Sequence, residues 1–227
     1  MEDKLTYYDI VAHLVPGTLV LGALALMPEI FGFTVPWPHS DLLSATIGIP
    51  VAYAVGQVVQ GLSSMAQPIY YYLWGGKPSD VILEGKSPSL KGERLERVLA
   101  GLASHFNSPA DTPARRGGLF MDAMALCNKE GLGRVDSFNA SYAFHRALLT
   151  TGLVSSAVLA APLILHGFGL TSLDHSLRPA VIYLLVLAVV LSVIEFIRAK
   201  QRGEYFSVEV LNMAYLWTRD AGTNHGA

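Results

Sequence analysis

Hydrophobic positions along this chain come in long uninterrupted runs, not in the short alternations of a water-exposed core. Residues 42–76 contain no Asp, Glu, Lys or Arg. Four windows, 10–28, 42–61, 147–170 and 180–197, are each long enough to cross a hydrocarbon layer of about 30 Å as a helix rising about 1.5 Å per residue. The last of them contains Glu195, placed near enough to the window's end for its carboxylate to be expected to reach water. Between the second and third windows the period changes. Leu95, Val98, Leu99 and Leu102 form one apolar stripe, Phe120, Ala123, Met124 and Cys127 a second, and Val135, Phe138 and Tyr142 a third that leads into the third window without a breaker. Thr112-Pro113 reads as a cap and first helical residue, and Gly75-Gly76, Pro88, Pro109 and Gly117-Gly118 punctuate the segment.

The pattern predicts an all-α polytopic membrane protein with four transmembrane helices. The expected segments are a first hairpin (1–76), a basic helical segment (77–146), a second hairpin (147–197) and a helical tail (198–227). Some 70 residues of short helices make a marginal core alone, so the middle segment is expected to pack on membrane-helix extensions or on other subunits, and the tail's apolar side on either the middle segment or the membrane surface. The tail, with Tyr205, Val208, Leu211 and Trp217 on an apolar side, can continue unbroken from the fourth window.

Charge placement sets the orientation. Of the sixteen Lys and Arg, only Arg178 lies in the two short connections between windows, so both termini and the middle segment are expected on the cytoplasmic side. The leading residues carry Glu2, Asp3 and Asp9 against Lys4, the wrong balance for a signal peptide, and the first window reads as a retained span. Cys127 is the single cysteine, which excludes an intramolecular disulfide.

The polar residues inside the second window are ordered. Tyr53, Gln57, Gln60, Ser64 and Gln67 follow steps of four and three, which is one helix face. Two readings are open: amides that bond across helices inside one bundle, or the lining of a conduit built from several copies, with Gln57 and Gln60 at its narrow zone. Gly48, Ala52 and Gly56 form a small-residue ridge for close helix packing. In the first window, His13 and Pro16-Gly17 mark a local bend or a gate hinge; with Asp9 and Glu195 they are the gating or pH-sensitive candidates. Arg94, Arg97, Arg115 and Arg116 are either a solvated basic surface or an anion site suited to a nucleotide or oligonucleotide activator.

Metal-ligand spacing, GxSxG, Walker A and dinucleotide motifs are lacking, so neither catalysis nor a metal or other cofactor is expected. Ser141 and His145 stand at helical spacing, but the neighbouring sequence offers no orienting acid.

The layout of YDIVAHLVPG, with Tyr8-Asp9 and Pro16-Gly17, then four spans with a basic helical insert and a helical tail, resembles small bacterial membrane proteins of anti-phage defence systems, the Hailong-like and Kiwa-like membrane components. That resemblance implies a homo-oligomeric inner-membrane effector, gated by a ligand, that depolarises or permeabilises the bilayer. The alternative from the same residues is a membrane anchor or sensor that recruits a cytoplasmic partner protein; a small transporter is a further one.

Overall fold

The computed structural model describes residues 7–31, 41–170 and 176–224, and among these every regular element is helical. The helices are α1 (Tyr7–Ala25), α2 (Met27–Phe31), α3 (Asp41–Met65), α4 (Gln67–Trp74), α5 (Pro78–Leu83), α6 (Gly92–Phe106), α7 (Pro113–Lys129), α8 (Gly133–Gly167) and α9 (Arg178–Asn224). Three of them, α3, α8 and α9, are long and apolar enough to cross a membrane. The first window is a shorter apolar helix over Ala12–Ala25. The 35 residues of α8 and 47 of α9 measure about 52 and about 70 Å, well beyond a hydrocarbon core, so each helix also serves a second environment.

The chain divides into two compact units, Met1–Ala66 with Ala143–Arg198, and Gln67–Tyr142 with Ala199–Ala227. The first gathers α1 to α3 and the apolar parts of α8 and α9. Its closest packing is between α1 and α3, where a Cβ on Gly17 would collide with the backbone of Ala52 and Gly56, and one on Gly56 with the backbone of His13. The small-residue ridge thus uses Ala52 and Gly56, both buried, whereas Gly48 is only half-buried. Pro16 stays inside α1, next to the crossing point. A second close approach pairs α8 with α9, where Gly152 faces the Ser192 hydroxyl and the Ala188 carbonyl. Leu159, Val181 and Ala188 continue that seam as an apolar cluster with Ala23 and Ile30. The outward side of α9, including Val186, Val190, Val193 and Ile197, is exposed and apolar, as a lipid-facing belt requires.

The second unit has the larger core. Leu95, Val98, Leu99 and Leu102 of α6 are buried against Leu119, Phe120, Ala123 and Cys127 of α7 and against Val210, Leu211 and Ala214 of α9. The tail therefore completes a core that the middle segment is too short to close alone. Thr112 caps α7, its hydroxyl accepting from the Arg115 N–H at 3.3 Å. Asn107 ends α6 in the left-handed region (φ 49°). Gly75 and Gly76 end α4 with φ of 80° and 137°, which only glycine adopts without strain.

Helix α3 does not run on as one piece to the aromatic residues Tyr70, Tyr71, Tyr72 and Trp74. It stops at Met65, and α4 starts at Gln67 after the single residue Ala66. Pro68 explains the break: it has no N–H for the Ser64 carbonyl, its helical acceptor, and its ring crowds that turn.

Candidate functional site

The five polar residues predicted for one helix face are parted by this break and by packing. Gln67 lies beyond Ala66 and accepts from the Tyr71 hydroxyl at 3.3 Å, inside the second unit. Gln60 turns inward and donates to the Ala12 carbonyl of α1, a long bond of 3.5 Å. Gln57 and Ser64 are exposed, and Gln57 donates to the Tyr53 hydroxyl at 3.1 Å along its own helix. Tyr53 is half-buried, its ring 5.3 Å from that of His13. Hence Gln60 and Tyr53 belong to the packing of α1 on α3, whereas Gln57 and Ser64 remain on the outer side of α3.

Depth makes this outer face significant. The apolar window of α3 is Ser44–Met65, so Gln57 lies about 4 Å from its middle along the helix axis. Around it the exposed side chains are apolar: Ile49, Val51, Val58 and Leu62. One of its amide hydrogens is held by Tyr53, and the side chain is exposed. An amide presented to lipid loses hydrogen bonds that lipid does not return, so this face suits another protein surface or water.

Glu195 does not reach water, contrary to the expectation from its position near the window's end. It is buried, and its carboxylate meets Nδ1 of His145 at 2.5 Å across the α8–α9 interface. His145 therefore has the acidic neighbour that its local sequence does not provide. The signal lay in register: the two residues are equidistant from Leu170 along the chain, as an antiparallel hairpin requires of facing positions, and Glu195 is the only acid in any of the four apolar windows.

The four arginines separate into two kinds. Arg94 and Arg97 are exposed on α6. Arg115 pairs with Asp111 at 2.8 Å, and the guanidinium holds the Asp111 carboxyl below the usual carboxylate range. Arg116 donates to the carbonyls of Leu83 (2.9 Å) and Ala110 (3.0 Å) and pairs with Glu96 at 3.2 Å. It thereby ties the end of α5 to the start of α7, beside a groove of about 470 Å³ lined also by Asp80, Glu84 and Asp111. Two of the four cations thus already have carboxylate partners, and the groove they border carries three acids. The side chain of Asp9 lies outside the described ones. Among the described residues no group of three or more His, Cys, Asp or Glu is arranged to hold a metal ion.

No family model matches the chain, and no curated protein or solved structure shows significant similarity to it.

Proposed function

We propose that this chain is a four-span protein of a bacterial inner membrane that assembles as a homo-oligomer around the outer face of α3 and forms a channel there. One observation carries the reading: Gln57, bonded to Tyr53, is exposed near the middle of an apolar helix, among the exposed apolar side chains Ile49, Val51, Val58 and Leu62. A ring of copies would turn that face toward a shared axis, replacing lipid by water and by neighbouring amides. In this reading α1, though short, is the fourth span, held on α3 by the Gly17–Gly56 crossing. The termini, residues 77–146 and the tail are cytoplasmic, as the placement of fifteen of the sixteen Lys and Arg supports. Ligand-gated depolarisation of the membrane during phage infection is the role that the resemblance in layout implies for such a channel.

The test is ion flux through the purified protein in liposomes together with its oligomeric state. A defined oligomer with flux that Gln57→Leu abolishes while assembly persists supports the channel. Gln60 is left native here, because its amide serves packing. A sealed oligomer, or flux unchanged in Gln57→Leu, removes the assignment.

A second reading is favoured by the compact core of the second unit and its groove beside Arg116. Here the helical segment presents a docking surface and the spans serve as an anchor. It predicts a stable complex with a cytoplasmic partner protein and no flux from the chain alone.

A further inference from the structure

Helix α4 presents an apolar face that the rest of its unit leaves bare. At about 100° per residue, Tyr70, Tyr71 and Trp74 share one arc of the helix and Ile69, Tyr72 and Leu73 the opposite one. Tyr70 and Trp74 are buried and Tyr71 is half-buried. Ile69, Tyr72 and Leu73 are 62%, 85% and 60% exposed. Three large side chains on one side of an eight-residue helix that carries no charge call for a cover.

What covers them follows from where the chain fixes α4. Its first residue, Gln67, is the second after Met65, where the apolar window of α3 ends. Its last residue, Trp74, accepts at its carbonyl from Nζ of Lys200 at 3.0 Å. Lys200 stands three residues, about 5 Å of helix, past Ile197, which closes the exposed apolar belt of α9. Both stops lie on the side where the Lys and Arg gather. A helix of eight residues is about 12 Å long, and with each end held within a turn of such a stop, its length lies along that level and not away from it. The first charge after residue 41 is Lys77, exposed and three residues beyond Trp74. Aromatic and apolar side chains followed at once by a cation match a lipid headgroup layer, which takes tyrosine rings at its inner edge and ammonium groups at its phosphates.

We propose that α4 is an interfacial helix: Ile69, Tyr72 and Leu73 enter the boundary between headgroups and acyl chains of the phospholipid leaflet at which α3 ends, and Lys77 meets the phosphates of that leaflet. The inference rests on the reading of α3, α8 and α9 as membrane spans and not on the channel. The other side of α4 is committed to protein. There the Tyr71 hydroxyl meets that of Tyr142 at 3.2 Å, and the Trp74 carbonyl holds Lys200. Lipid on one side and these two bonds on the other make α4 the element that ties the start of α8 and the tail of α9, within the second unit, to the leaflet surface.

Nitroxide labels on cysteines introduced one at a time into the full-length protein, in vesicles of phosphatidylethanolamine and phosphatidylglycerol, test this. Their relaxation is read with oxygen, which concentrates in lipid, and with a nickel chelate confined to water. The sites are Ile69→Cys, Tyr72→Cys and Leu73→Cys, with Lys86→Cys as the water-exposed control and Val190→Cys as the control for a span. The unsubstituted protein, whose Cys127 is buried, gives the background. The expected result is that the three α4 labels respond more to oxygen than to nickel, at a depth of about 5–10 Å into the headgroup and acyl boundary, while Lys86→Cys shows the reverse and Val190→Cys lies deeper. If the α4 labels respond to nickel as strongly as Lys86→Cys while Val190→Cys stays in lipid, the proposal is overturned and the spans stand. Labels that are immobilised and shielded from both reagents place a second copy or another protein on this face and overturn it equally. Nickel access at Val190→Cys removes the reading of the spans, and the proposal with it.

Discussion

The side-chain amide of Gln60 on α3 donates to the main-chain carbonyl of Ala12 on α1, and Ala12 is the residue four before Pro16. Proline has no N–H, so in a continuous helix that carbonyl loses its usual donor. The glutamine supplies a replacement from the neighbouring helix, at the crossing where Gly17 and Gly56 let the two backbones approach. A proline that an apolar helix tolerates only with outside help and a glutamine that an apolar environment would leave unbonded thus answer each other's requirement.

This relationship predicts non-additive mutations. Gln60→Leu should destabilise the protein in detergent by roughly 1 kcal/mol, at the low end for a lost partner because the bond is long. Pro16→Ala, which restores the helical donor, should make Gln60→Leu nearly silent in the double variant. Thermal melts of the four proteins in one detergent measure this. Equal losses with and without Pro16 would show that Gln60 acts elsewhere.

The crossing itself should accept no side chain. At Gly56 a Cβ meets the backbone of His13, which has no rotamer to yield, so Gly56→Val should cost about 3 kcal/mol or more and free α1 from α3. Gly61, where a Cβ would meet open space, serves as the control: Gly61→Ala should be neutral or slightly stabilising. Cysteine cross-linking between the two helices, or loss of a monodisperse elution peak, reads the difference.

Arg116 and Arg115 are adjacent in sequence but should differ in consequence. Replacing Arg116 by Ala removes the donors to Leu83 and Ala110 and the pair with Glu96, and should cost about 1–3 kcal/mol. The Arg115–Asp111 pair is exposed, so Arg115→Ala should leave the melt nearly unchanged. Denaturant melts of the two variants check this. Similar losses would place Arg115 in a role beyond its surface pair.

Cys127 offers a pH test. Burial between α7 and the tail of α9 pushes its thiol from an ordinary 9.0 up to about 11, and its Sγ lies 3.6 Å from the Val210 carbonyl. The folded chain therefore keeps its proton in a range where the unfolded chain has lost it. This contribution to stability is fully present below pH 9.0 and diminishes as the pH rises toward about 11. At neutral pH the thiol should react with a maleimide about 100-fold or more slowly in the folded protein than in denaturant. Comparable rates in the two states would mean that the α7–α9 contact opens readily.

Much of this molecule follows from local chemistry that the sequence displays. Apolar runs without charge make long helices, Thr112-Pro113 starts α7, Gly75-Gly76 stops α4, and the absence of a breaker after residue 180 lets α9 run for 47 residues into the second unit. The stripes on α6 and α7 name their own buried residues, because a period near 3.6 leaves one side for the core. What the sequence could not decide is which neighbour each polar side chain meets. Periodicity put Gln57, Gln60 and Ser64 on one side of α3, but the rotation of α3 against α1 sends Gln60 inward and leaves the other two outside. Window position put Glu195 near water, but pairing of α8 with α9 buries it against His145, fifty residues away. Helix content is fixed by neighbours a turn apart. The partners of buried polar groups are fixed by register between helices, and only the tertiary structure holds that register.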